Sequence, residues 1–174
     1  MTADESGQSD QNTCQLILMR HAKSDWSDHS LSDHERPLNN RGRRDAPRMA
    51  QWLTEIDMVP DVVLSSSSVR TRETVALMVE QWTNEPVLSF TDNLYHSSAE
   101  SILTVIRSDA CDARRLMVVA HNPGMAHLVS GLSNQLIEMP TAAIAIFQLQ
   151  LADWNHVGPG TPIDLIQHMR PKAL

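Results

Sequence analysis

Residues 15–26 read QLILMRHAKSDW. Leu16, Ile17, Leu18 and Met19 make an unbroken apolar run that ends abruptly at Arg20 and His21. A short continuous run of this kind reads as a strand buried on both faces, the situation of strands in a parallel sheet. A strand over 14–20 would therefore carry a cation and an imidazole on its last rigid position. What surrounds that position decides what the chain does.

Outward from this strand, short apolar runs alternate with helical periodicity. Ala46, Met49, Ala50, Leu53 and Ile56 recur at helical spacing and predict a helix over 40–57, capped by Asn39 or Asn40. DVVLS predicts a strand over 61–65. Thr71, Val75, Met78, Val79 and Trp82 predict a helix over 68–82, followed by a short strand over 87–90. Ile102, Val105 and Ile106 mark a helix near 98–108, and RLMVVA a buried strand over 115–120. Met125, Leu128, Val129 and Leu132 face inward on a helix over 124–134, and 142–151 and 162–168 read as final strands. Strands alternating with helices give an α/β fold, a three-layer sandwich with a mostly parallel central sheet and helices on both faces.

At 174 residues and 41% apolar, the chain is long enough for one well-buried core, read as a single domain over 14–170. Residues 1–13, MTADESGQSDQNT, are polar and acidic and read as a disordered tail; they lack the basic and apolar regions of a signal peptide, which points to a cytoplasmic protein. No apolar run approaches the ~18 residues of a membrane span. The net charge of −7 argues against non-specific binding to nucleic acid or an anionic membrane. Any anion site must then be a local concentration of cations. Cys14 and Cys111 show no CxxC spacing, so they read as two buried small hydrophobes rather than a disulfide or zinc site.

In open α/β sheets, ligands bind beyond the carboxyl ends of the strands. Arg20 and His21 follow the first strand, Ser65 to Ser68 and then Arg70 follow the second, and His121-Asn122-Pro123-Gly124 follow the strand over 115–120. Each has an ordinary reading alone: a hydrogen-bonded loop histidine, solvated helix arginines at 70 and 72, a turn at Asn-Pro-Gly. Together they deliver two histidines and two arginines to one edge. With Ser67 as N-cap, Arg70 would lie in the first helical turn, where a cation opposes the helix dipole and a bound anion relieves the conflict. Arg41, Arg43 and Arg44 lie near another helix start without a comparable argument.

Guanidinium forks match the oxygens of a phosphoryl group. A neutral imidazole can attack phosphorus in line while a second imidazole stabilises the equatorial oxygens. Nearby arginines disfavour imidazolium and hold the nucleophile neutral. The positive charge comes from arginine, so no metal or other cofactor is called for, and no HxxxH, DxDG or P-loop pattern is present.

RHAKSDW, DHERPLNNRG, LSSSSVRTRET and HNPG, in this order, resemble the histidine phosphatase (phosphoglycerate mutase-like) superfamily, and within it the SixA-type phosphohistidine phosphatases. The resemblance covers about residues 14 to 150 and implies a phosphoglycerate mutase-like fold. It implies that His21 is the phosphorylated nucleophile, that Arg20 and Arg70 bind the phosphoryl group, and that His121 is the second pocket histidine. It extends substrate contacts to Asn122 and to Arg36 of ERPL.

Two positions depart from the superfamily pattern. Ala22 stands where the usual triplet has glycine, and a positive φ there would be strained. Mutase-like relatives place a glutamate two residues after a mid-chain leucine; in Asn93-Leu94-Tyr95-His96 that place is taken by His96. An alkoxide leaving group needs a positioned acid, whereas an imidazole leaves readily once protonated, for which a weaker donor at the substrate, His96 or water, suffices. The substitution therefore favours phosphohistidine on a protein over a sugar phosphate, and the chain leaves little sequence for a lid. The loop between Ala22 and Leu38 is long enough to be functional, with Trp26 and Pro37 as candidate anchors. His127 and His168 are assigned to structure or surface. Three readings stay open: a metal-independent phosphohistidine phosphatase acting on a phosphorylated protein, a phosphatase for a small phosphate ester, and a non-catalytic phosphate-binding module. Oligomeric state and the identity of the partner are not legible.

Overall fold

Strand β1 spans Thr13–Arg20, one residue into the stretch assigned above to a tail. The computed structural model describes residues 13–158 and 160–174, so the remainder of the expected tail lies outside the described residues. After β1 come α1 (Asn40–Glu55), β2 (Val62–Ser66), α2 (Val69–Val79), β3 (Val87–Thr91), α3 (Ala99–Asp109), β4 (Arg115–Ala120), α4 (Gly124–Ser133), β5 (Ile144–Gln150) and β6 (Ile163–Met169). The strands form one sheet in the order β3-β2-β4-β1-β5-β6. Pairings among β3, β2, β4 and β1 are parallel; β5 runs antiparallel to β1, and β6 antiparallel to β5.

The alternation of side chains along each strand separates two cores. Leu16 and Leu18 of β1 face the same side as Leu116 and Val118 of β4, where Ile102 and Ile106 of α3 and Leu128 and Val129 of α4 cover them. Ile17 and Met19 point the other way, with Met117 and Val119, onto Ala46, Met49, Ala50 and Leu53 of α1 and Val75 and Met78 of α2. Both faces of the central strands are thus dry, which is why their sequences are continuously apolar instead of alternating. No helix among the described residues is long and apolar enough to cross a membrane.

Some local expectations change. Asn39 is the cap of α1, its side chain accepting from Gly42 N–H at 3.0 Å. Ser68, not Ser67, is the N-cap of α2; the Ser67 hydroxyl is instead engaged by His34 and Asp92. Helix α2 stops at Val79, yet Trp82 is still buried because its indole N–H reaches the Ala50 carbonyl at 3.2 Å. Cys111 is exposed and Cys14 only half-buried; both are free thiols.

The loop from Ala22 to Leu38 is folded onto the body. Asp25 N–H bonds the Pro37 carbonyl at 2.8 Å, Asn39 N–H bonds the Lys23 carbonyl at 3.0 Å, and Ser24 bridges Leu38. Leu38 and Arg36 are its buried anchors, while Trp26 stays exposed. Gly42 makes this seat possible: a Cβ there would lie 2.3 Å from the Lys23 carbonyl oxygen. Gly42→Ala must therefore push the loop off α1, and urea denaturation is expected to show a loss of about 1–3 kcal/mol. An unchanged urea midpoint would show that the loop is not seated on α1 in this way.

Candidate active site

Three strand ends build the site. Register pairs Arg20 with Ala120 and Ser65 with Val119, so the residues just beyond β1, β2 and β4 emerge level with one another. The backbone at Arg20 and His21 is tied down on both sides. His21 N–H bonds the Ala120 carbonyl at 3.1 Å, and Ala142 N–H meets the carbonyls of Arg20 and His21 at 3.1 and 3.0 Å. Ala142 does this at φ 63°, a left-handed conformation that a non-glycine residue adopts only under strong tertiary constraint. Ala22 has no positive φ, so alanine in place of glycine carries no backbone strain.

His21 is buried, and its Nδ1 lies 2.7 Å from the Ala22 carbonyl oxygen. A carbonyl can only accept, so Nδ1 carries the proton and Nε2 keeps its lone pair. Burial, opposed by the bond to Ala22 and assisted by Arg70, Arg20 and Arg36, pushes the His21 pKa down to about 3. The ring is therefore neutral near pH 7. His121 is its neighbour, with ring centroids 5.0 Å apart. Its Nδ1 lies 3.3 Å from Arg70 Nη2 and its Nε2 2.8 Å from Ser66 Oγ. Arginine can only donate, so Nδ1 accepts from Arg70 and Nε2–H donates to the serine. Burial, then the proximity of His21 and the Arg70 guanidinium, push its pKa down to about 2.

The arginines hold donors in reserve. Among the described residues, four buried side-chain polar atoms lack a partner; Arg20 Nε, Arg70 Nε and Asn122 Oδ1 are three of them. Arg20 Nη1 and Asn122 Nδ2 both donate to the Met139 carbonyl, at 3.1 and 2.9 Å. Unpaired guanidinium N–H groups inside a protein are costly, and an anion is the ligand that satisfies them. Arg20, His21, Arg36, Arg70, His121 and Asn122 all line one cavity of about 210 Å³.

Asp33 is the residue the sequence reading passed over. It comes from a short 3-10 turn, Asp33–Glu35, inside the 22–38 loop. Its carboxylate accepts from Arg70 Nη2 at 2.9 Å, Tyr95 Oη at 2.8 Å, His96 Nε2 at 3.0 Å and Arg36 Nη2 at 2.7 Å. Burial alone would raise its pKa, but these four bonds hold it well below the usual carboxylate range. Asp33 is thus an ionised organiser rather than a proton donor. Arg36, expected as a phosphate contact, lines the cavity, and in this structure its donors go to Asp33, Ser24 and the Asp25 carbonyl, with its guanidinium 3.4 Å from the Trp26 ring centroid.

His96 does enter the site, at φ 50°, with its ring stacked 5.9 Å from His121. Tyr95 packs edge-on to His121 at 5.5 Å. Gly124 allows this corner to close: a Cβ there would lie 2.0 Å from the Ser97 carbonyl oxygen. The local signals for Asp33 were its i,i+3 spacing to Arg36 and its place in an unusually long loop. For Tyr95 there was no signal beyond its position beside His96. Arg20, Lys23, Arg36 and Arg70 against Asp33, with both central imidazoles neutral, leave a positively charged pocket suited to a phosphoryl dianion.

A family model of the histidine phosphatase superfamily (branch 1) matches residues 16–93. An uncharacterized chloroplastic protein of Arabidopsis thaliana is 35% identical over 158 residues, which cover 83% of this chain and 72% of that protein. This chain belongs to the histidine phosphatase superfamily. Among solved structures, a chain assigned as phosphohistidine phosphatase SixA from Nakamurella multipartitia superposes with TM-score 0.80 at 24% identity, covering 91% of this chain and 96% of that one. The protein histidine phosphatase SixA complexed with tungstate superposes with TM-score 0.75 at 20% identity, covering 91% and 98%. At these identities the likeness is one of fold.

The two depressed histidines make stability depend on pH. Unfolding returns each ring to an ordinary pKa near 6.5. Between that value and the lower folded one, the unfolded chain binds more protons, so stability falls as pH falls. Equilibrium denaturation between pH 6.5 and 5 is expected to show a loss approaching about 1 kcal/mol per pH unit for each ring. His121→Asn should flatten the slope; an unchanged slope would mean that His121 is not held neutral.

Proposed function

We propose that this chain is a phosphatase that works through a phosphorylated His21 and removes phosphate from phosphohistidine on a protein. The observation that carries the reading is the fixed tautomer of His21, whose free Nε2 belongs to a cavity with unpaired arginine donors. In the first step the Nε2 lone pair forms a bond to phosphorus as the bond to the substrate nitrogen breaks. The departing imidazole takes a proton from water on its released nitrogen, or leaves neutral if its other nitrogen already holds one. Arg20 and Arg70 hold the equatorial oxygens, and the neutral His121 ring lies beside them, its Nδ1 fixing the Arg70 guanidinium. His21 keeps its Nδ1 proton throughout, so the phosphorylated ring is cationic and a good leaving group. Water then attacks phosphorus, the P–Nε2 bond breaks, and neutral imidazole and inorganic phosphate are released.

The choice of phosphohistidine rests on the leaving group. The carboxylate that reaches His96 is Asp33, and it is held ionised. An alkoxide would find no carboxylic acid at that place, whereas a histidine leaving group does not require one. A cavity of about 210 Å³ holds a phosphoryl group and little more, so the rest of the substrate stays outside.

A phosphohistidine-bearing phosphotransfer protein and p-nitrophenyl phosphate, each incubated with the protein in EDTA, test this. Turnover of the phosphoprotein that His21→Ala abolishes is expected. Far faster turnover of small esters would favour a small-molecule phosphatase, turnover of neither substrate would favour a phosphate-binding module, and loss in EDTA would sink the metal-independent step. Asp33→Asn is expected to lower kcat about tenfold through loss of charged hydrogen bonds. It should not weaken inhibition by tungstate, because it removes a negative charge from the pocket. Weaker tungstate inhibition at unchanged kcat would show that Asp33 does not position the catalytic groups.

A further inference from the structure

We propose that a basic groove beside the active site binds an acidic segment of the protein substrate, an inference that rests on the phosphoprotein reading above. The groove is a cavity of about 440 Å³. One wall is the α1 helix, where Arg41, Arg44 and Arg48 recur at i, i+3 and i+7 and share a face. Arg170 and Lys172, from the segment after β6, supply the other wall. These are five cations on a chain whose net charge is −7.

The local carboxylates do not cancel them. Buried Asp45 takes the Arg44 fork at 3.1 Å and faces Arg41 at 3.6 Å, Glu138 is the other carboxylate of the groove, and Arg48 donates to oxygens of Pro171 and Leu174 at 3.4 and 3.1 Å. Among the described residues, no acceptor meets the side-chain heads of Arg170 or Lys172. The guanidinium heads of Arg41 and Arg44 are about half and two-thirds exposed, with side-chain exposures of 48% and 64%. Such solvated cations suit the irregular acidic surface of a protein better than a tightly enclosed small molecule.

Position gives the groove its purpose. Thr141 lines both this groove and the catalytic cavity, and Arg41 Nη2 donates to its hydroxyl at 2.9 Å. The row from Arg41 to Arg48 rises about 10 Å along the helix, the length of about three extended residues. A substrate whose phosphohistidine enters the catalytic cavity would lay two or three neighbouring carboxylates along this row. Docking charge at the rim of a site raises the encounter rate and apparent affinity, and leaves the chemical step unchanged.

The test uses two synthetic phosphohistidine peptides, one flanked by Asp and Glu, the other by Ser and Gly. Wild-type protein is expected to show kcat/KM about five- to tenfold higher for the acidic peptide at low salt, carried by KM, with the gap closing at high ionic strength. Arg44→Gln/Lys172→Gln should remove the gap and leave p-nitrophenyl phosphate turnover unchanged, which also reports that the variant is folded. Equal kcat/KM for both peptides in the wild type would overturn the docking proposal alone. Failure to hydrolyse either peptide would overturn the phosphohistidine reading and this one with it. Micromolar binding of inorganic pyrophosphate that the double variant abolishes, without a preference for the acidic peptide, would overturn it in favour of a small-anion site.

Discussion

The bond from His21 Nδ1 to the Ala22 carbonyl, 2.7 Å long, sets the chemistry available to the pocket. It places the ring proton on Nδ1 and leaves Nε2 with its lone pair, as the proposed nucleophile requires. That bond is only as good as the backbone carrying it. The backbone is held by the Ala120 carbonyl on the β4 side and by the strained Ala142 on the β5 side. The parallel pairing of β1 with β4 and its antiparallel pairing with β5 therefore both converge on a single imidazole. Burial completes the arrangement, because a buried ring among guanidiniums stays neutral.

Asp33 answers the electrostatic problem this creates. Three guanidiniums and two imidazoles packed together repel any proton and one another. A single carboxylate bonded to Arg70, Arg36, Tyr95 and His96 lets them coexist without a ligand. It joins three separate segments: the loop after β1, the first turn of α2, and the corner before α3. The mid-chain place occupied by His96 is thereby connected to a carboxylate after all, although one that is ionised and comes from a different part of the chain. On the proposed reading, substrate choice follows from that ionisation state more than from the identity of residue 96.

Much of this was open to direct reading. Continuous apolar runs identified the central strands because both sheet faces are covered, and 3.6-residue periodicity identified the helices because each has one dry side. Arg20, His21, Arg70, His121 and Asn122 were legible for a related reason. Each follows a strand or opens a helix within a few residues, so local order along the chain and the rule of strand ends are enough to bring them to one edge. Their convergence in one cavity is a consequence of topology that alternation already implied.

What only the tertiary structure decided depends on contacts that have no local signature. Asp33 reaches Tyr95 and His96 across more than sixty positions, with |i−j| of 62 and 63, and no periodicity announces such a meeting. The donors of Arg36 turned inward to Asp33 because the 22–38 loop folds back on Gly42, a close approach that reads in the sequence only as an ordinary glycine. Cys111 proved exposed because it lies at a turn, whatever the average burial of its residue type. The arginines near the start of α1 carried no ligand argument in the sequence; the segment after β6 brings Arg170 and Lys172 opposite Arg41, Arg44 and Arg48. Sequence determined which residues stand at the ends of rigid elements, because rigidity is local. Structure alone decided which charges face one another, because electrostatic partners are chosen by distance in space.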